Sequence, residues 1–148
     1  MLRILLVLFL MLTSCTESVH EVKLRDTSGR SVPLSQFRGK PLVVYVWSGT
    51  CIGHTEDLRE LVKLYPKVRE RAELISVAVM MSPGDVESFL RKVELDPDYP
   101  ILADEKGEFA QKVTLVFLPA TLVFDEEGRL VESYPGLPEN LLSLIPSH

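Results

Sequence analysis

A chain of 148 residues, 46% hydrophobic and 25% charged, carries enough apolar material for one globular domain with a real core, and it shows no sign of disorder or internal repeats. Its 16 basic residues against 21 acidic ones leave a net charge of −5, which argues against a nucleic-acid partner and against a basic membrane-surface patch.

The chain opens with "MLRILLVLFLMLTSC": one basic residue at Arg3, an apolar run from Ile4 to Leu12, then small or polar residues leading to Cys15. This is the layout of a signal peptide, and the run is too short to span a bilayer, which needs about 20 residues. Leu12-Thr13-Ser14-Cys15 also resembles the bacterial lipobox, whose cysteine is lipidated and becomes the mature N-terminus. Small residues directly before a cysteine favour that reading over an ordinary secretory signal or an uncleaved anchor. The expected division is therefore a signal peptide over residues 1–14, a short polar tether over 15–21 and a single domain over 22–148. Lipidation at Cys15 would leave Cys51 as the one thiol of the mature chain, in an oxidising compartment and with no internal partner.

"VKLRDTSGRSVPLSQFRGK" alternates apolar and polar residues about Asp26-Thr27-Ser28-Gly29, the pattern of a β-hairpin. "PLVVYVW" is a continuous β-branched and aromatic run, suited to a central strand buried on both faces. From Cys51 to about Arg71, Leu58, Leu61, Val62, Leu64, Tyr65 and Val68 recur at helical spacing, with Pro66 expected to kink the helix. The strand "LISVAVMM" follows, then "SPGDVESFLRKVEL", an amphipathic helix capped by Ser82 or Asp85. "YPILADEKGEFAQKV" predicts a brief extended piece and a helix. "ATLVFDEEGRLVESYPG" predicts two strands joined at Glu127-Gly128, and "PENLLSLI" a closing helix. Strand-helix-strand crossovers make parallel neighbours and tight turns make antiparallel ones, so this order predicts an α/β fold with a mixed central sheet flanked by helices.

Taken in order and spacing, "LSQFRGKPLVVYVWSGTC", "FLPATLVFDEEGRLV" and "PENLLSLI" resemble the membrane-anchored thioredoxin-like proteins of the bacterial envelope, the TlpA/ResA-like group. The resemblance runs from about Val22 onward and implies a three-layer thioredoxin-like fold with an N-terminal β-hairpin. It also implies thiol-disulfide chemistry, in which a first cysteine attacks a substrate disulfide and a second, three residues on, resolves the mixed disulfide. This chain departs from that pattern inside the site. It reads Cys51-Ile52-Gly53-His54, with Gly53 where the family often has proline and His54 in place of the second cysteine.

Cys51 is the expected nucleophile, because a cysteine at a helix start faces unpaired N–H groups and the positive end of the helix dipole, which favour its thiolate. His54 shares a helix face with it at i+3. Its imidazole can take the thiol proton or join it in holding a metal, or it can be a polar first-turn residue directed to solvent. Asp57 stands where the family often has an acidic side chain. It is read as a solvated helix-face residue before a group that orients His54. Leu118-Pro119 matches the cis-proline step that faces the cysteine in the family, which implies a catalytic-site role for Pro119 and substrate contacts for Leu118 and Trp47.

Met80 and Met81 end a strand expected beside the one leading to Cys51. Cys51, His54 and Met81 together would suit Cu(I), although a methionine at a strand end is more often core filler. His20 and His148 carry no signal. No resident cofactor is expected.

Two function classes follow. One is a lipid-anchored, periplasmic-side envelope protein that exchanges disulfides with thiol- or disulfide-bearing partner proteins through a single cysteine. The other is a non-enzymatic copper-binding or docking module on the same scaffold. A peroxide-reducing role is weaker, because Thr50-Cys51 lacks the proline- and threonine-bearing approach typical of peroxiredoxins.

Overall fold

A computed structural model describes residues 18–50 and 53–147. The hairpin forms as β1 (Lys23–Asp26) and β2 (Ser31–Pro33), turned by Asp26, whose Oδ1 accepts from the backbone N–H groups of Ser28 and Arg30, each at 3.0 Å. Then come β3 (Leu42–Trp47), α1 (His54–Val68), β4 (Glu73–Val79), α2 (Pro83–Lys92), β5 (Ile101–Asp104), α3 (Glu108–Lys112), β6 (Ala120–Phe124), β7 (Leu130–Pro135) and α4 (Leu141–Leu144). Single turns of 3-10 helix at Val19–Glu21 and Leu34–Phe37 were not expected from the sequence.

The strands make one seven-stranded sheet in the order β2-β1-β5-β4-β3-β6-β7. β3, β4 and β5 are parallel neighbours; β6 and β7 continue antiparallel on one side, and β1 and β2 on the other. All six residues of β3 are buried, as a strand covered on both faces requires. Its alternate residues feed two cores. Val43, Tyr45 and Trp47 pack with Leu58 and Leu61 of α1, Val86 and Leu90 of α2, and Leu141 of α4. Leu42, Val44 and Val46 pack with Phe109 of α3 and with Val19, Leu34 and Phe37. The period-two alternation of a strand thus produces the three layers.

Several boundaries differ from expectation. The expected tether, residues 15–21, overlaps the domain: Val19 and His20 are buried, Val19 N–H donates to the Gly128 carbonyl at 2.9 Å, and Ser18 Oγ donates to the Glu127 carbonyl at 2.6 Å. α1 begins at His54, not at Cys51, because Gly53 takes the left-handed conformation (φ +86°) at its N-cap. Pro66 falls in the last turn of that helix. The closing helix is a single turn, and Pro146 follows it. Among the described residues no helix is long and apolar enough to cross a membrane.

Candidate active site at the end of β3

β3 and β4 run in parallel, with Trp47 opposite Ala78, so both deliver their C-terminal ends to one edge of the sheet. β6 starts at that same edge. Its first residue, Ala120, lies opposite Val46, which puts the preceding Pro119 level with Trp47. The Leu118–Pro119 peptide is cis, and the Pro119 carbonyl accepts from Gly136 N–H at 2.9 Å. Before it, Val116, Phe117 and Leu118 leave apolar side chains exposed. Trp47, by contrast, is fully buried. Its Nε1 donates to Ser76 Oγ of β4 at 3.2 Å, so the indole is pinned and is no open contact surface.

Cys51 lies outside the described residues, as does Cys15. The described residues on either side of Cys51 define its setting. Ser48 and Thr50 bridge hydroxyl to hydroxyl at 2.9 Å, and Gly53 leads directly into α1. His54 is not directed to solvent: it is 6% exposed, and its ring stacks on Trp47 with centroids 5.2 Å apart and planes 12° apart. Phe89 of α2 lies 5.0 Å from both rings. The sequence reading missed Phe89. Its only signal was its place beside Val86 and Leu90 on the buried side of an amphipathic helix.

Asp57 is half-buried and accepts a 2.6 Å hydrogen bond from Tyr45 Oη, so it is neither a purely solvated residue nor, in any described contact, an orienter of His54. A cleft of about 370 Å³ between α1 and the segment after β7 is lined by Asp57, Glu60, Leu64, Leu137, Pro138 and Glu139, and it gives this carboxylate a path to water. Tyr99 Oη donates to the Leu58 carbonyl at 2.9 Å and ties α1 to the stretch before β5; burial pushes its ionisation far above the usual phenol range. The two methionines part company. Met81 Sδ and Cε stand 3.7 Å from where a side-chain carbon on Gly49 would be, whereas Met80 is 70% exposed with its sulfur toward Gly107.

A central β3 ending at a Trp-to-Cys segment, a helix starting directly behind it and a cis-proline strand beside it define a thioredoxin-like fold. The family profile for AhpC/TSA matches residues 16–133, and the chain belongs to that family. It is similar to the thiol-disulfide oxidoreductase ResA of Bacillus thuringiensis subsp. konkukian, at 24% identity over 112 residues, which cover 75% of this chain. The matched stretch spans 64% of that relative's own length. Among solved structures it is similar to the exposed lipoprotein thioredoxin Etrx1 of Streptococcus pneumoniae, with a TM-score of 0.70 and 22% identity, covering 83% of this chain and 94% of that one. It is equally similar in fold to the bacterioferritin comigratory protein of Xanthomonas campestris, with a TM-score of 0.71 and 16% identity, covering 84% and 90%.

Proposed function

We propose that this chain is a thiol-disulfide exchange protein that works through the single thiol of Cys51, held to the bacterial envelope membrane by lipid at Cys15. The observation that carries the reading is the convergence of Trp47, His54 and Leu118-Pro119 at one sheet edge, bracketing the segment that holds Cys51. The ResA relatives, named as thiol-disulfide oxidoreductases, and the lipoprotein thioredoxin Etrx1 support the same chemistry and the same compartment. The same fold also serves alkyl peroxide reduction in the Xanthomonas campestris bacterioferritin comigratory protein. The Thr50-Cys51 approach favours exchange.

In the proposed reaction the Cys51 thiolate attacks one sulfur of a partner's disulfide. A mixed disulfide forms, and the other sulfur leaves as a thiolate that takes a proton from water. His54 supplies no second thiol, so an external thiol must attack the mixed disulfide to free Cys51. Electrons are conserved within each exchange. Extended substrate would lie along the exposed Phe117-Leu118 backbone beside Pro119.

The test is incubation of the mature domain with a disulfide-bonded peptide, followed by intact mass. A covalent adduct should appear, vanish in Cys51→Ser and persist until a small thiol is added. Release of the peptide without added thiol would refute the single-cysteine scheme. A second reading, Cu(I) on Cys51, His54 and Met81, draws on the position of Met81 against Gly49. Copper retention lost in Met81→Leu would favour it.

A further inference from the structure

We propose that the segment Ser18–Glu21 is an acid-released strap latched by His20: a proton on that imidazole, which its seat does not accommodate, frees the strap from the β6–β7 turn while the sheet stays folded. The device needs neither cysteine and stands apart from the exchange reading.

The strap is a single 3-10 turn, Val19–Glu21, laid against the turn between β6 and β7, and its ties are few. Val19 N–H donates to the Gly128 carbonyl at 2.9 Å, Ser18 Oγ donates to the Glu127 carbonyl at 2.6 Å, and Lys112 Nζ bridges to Glu21 Oε2 at 2.9 Å. Val19 adds one apolar side chain to the core cluster that holds Leu34 and Phe37. Val22 is the hinge, because its carbonyl accepts from Leu34 N–H at 2.9 Å and β1 begins directly after it. A terminal segment held this way opens without breaking the ladder of the sheet.

His20 makes the docking depend on pH. Its ring is almost wholly buried and rests on Gly128, where a side-chain carbon would come within 2.9 Å of Cγ and Nδ1. Neither ring nitrogen has a hydrogen-bond partner among the described residues. A neutral imidazole leaves one donor and one acceptor unmatched there; an imidazolium leaves two charged donors unmatched, at a far higher cost. The charged groups that face it do not offset this. Arg38, just after the Leu34–Phe37 turn, opposes a second positive charge. Asp125 and Glu127 of the β6–β7 turn favour one, but Arg129 already engages Asp125 Oδ2 at 3.1 Å and Glu127 Oε2 at 3.3 Å. Glu126, between them, is tied through its carbonyl to Gly39 N–H at 3.3 Å. On the strap itself, Glu21 is paired with Lys112. Burial and Arg38 outweigh the two carboxylates, so the docked ring holds a proton less well than the released one.

Docking therefore has its full strength above the ordinary histidine value of about 6.5 and is lost as pH falls below it. Each pH unit below that value multiplies the released-to-docked ratio by up to about ten, which amounts to about thirtyfold between about pH 7.5 and about pH 5. Release adds the strap's length, roughly 13 Å at full extension, to the chain before Val22 and uncovers the β6–β7 turn.

The test is amide hydrogen exchange of the full chain from about pH 7.5 to about pH 5, corrected for intrinsic exchange rates. In the wild type, amides of residues 19–22 should be at least about tenfold less protected than those of β3 at every pH, and should lose up to about thirtyfold in protection over the range. His20→Leu and His20→Phe fill the seat with side chains that take no proton, and both should hold strap protection level across the range, with β3 protection reporting that each variant is folded. Gly128→Ala, which sets a methyl group against Ser18 and the ring, should lower strap protection already at neutral pH. Strap amides that exchange no faster than β3 would show that no separate release occurs, and an equal loss of protection in the two His20 variants would place the titrating group elsewhere; either result overturns the proposal.

Discussion

His20 and His54 are both almost wholly buried, at 3% and 6% exposure, but in different surroundings. His54 lies among aromatic rings. His20 lies against the β6–β7 turn, where a side-chain carbon on Gly128 would meet its ring at 2.9 Å and Ser18 Oγ at 2.5 Å, and neither of its ring nitrogens has a hydrogen-bond partner among the described residues. Burial, together with the nearby Arg38 charge, holds its proton affinity below the ordinary histidine value, against the opposing pull of Asp125 and Glu127. The folded state therefore resists a proton that the unfolded chain accepts, and stability should fall as pH drops below about 6.5. Denaturant midpoints should decrease from neutral pH to about pH 5, and His20→Leu should flatten that decrease. An equal decrease in the variant would assign it elsewhere. Gly128→Ala should cost about 2 kcal/mol, since it combines a positive φ with a clash against Ser18 and His20. None of this was legible in the sequence. His20 shows no periodicity, and its contact lies more than 100 residues away.

At the scale of elements, local signals were read well wherever the cause was local. Ser82 and Asp85 were both candidates for the α2 cap, and both serve: Asp85 N–H donates to Ser82 Oγ at 3.1 Å and Ser82 N–H to Asp85 Oδ2 at 3.4 Å. Ser82→Ala should lower stability by about 1 kcal/mol in chemical denaturation. The start of α1 was misread by three residues because apolar spacing does not register the left-handed Gly53. The family resemblance, in which a second cysteine stands three residues after the first, gives the expectation for His54→Cys. That variant should close an internal disulfide with Cys51 and release a captured peptide without added thiol, seen as loss of free thiols by mass after alkylation. A variant that keeps both thiols under oxidising conditions would show that position 54 does not match the resolving position. Tyr45 and Asp57 were read apart, as strand filler and as a helix-face acid. Their pairing arises only when α1 lies on β3.

Across the whole molecule, the sheet separates two poles. The candidate site lies where β3 ends and β6 begins, whereas the Asp125–Arg129 turn lies beyond Phe124, which pairs with Leu42 at the start of β3. Ser18 and Val19 bond to that turn, so the chain enters the described domain at the pole opposite the site. The mixed sheet and its helices follow from element order. The attachment of β1 to β5, with Arg25 opposite Ala103, does not, because a hairpin's own residues leave open which edge it joins. An anchor at Cys15, three residues before Ser18, would point the site away from the membrane. Cys15→Ser should release the protein from the membrane fraction or leave it unprocessed, while membrane-bound wild type should still label at Cys51 with a water-soluble thiol reagent. Unchanged membrane partition and processing would count against lipidation.

The most direct measurement is the rate at which Cys51 of the folded, mature wild-type domain forms a mixed disulfide with a small disulfide, followed by intact mass at neutral pH beside a model thiol. A single adduct at Cys51, formed faster than on the model thiol and retained until external thiol is added, is the expected result. An unmodified domain that reacts only after denaturant would show a buried structural cysteine and contradict single-cysteine exchange.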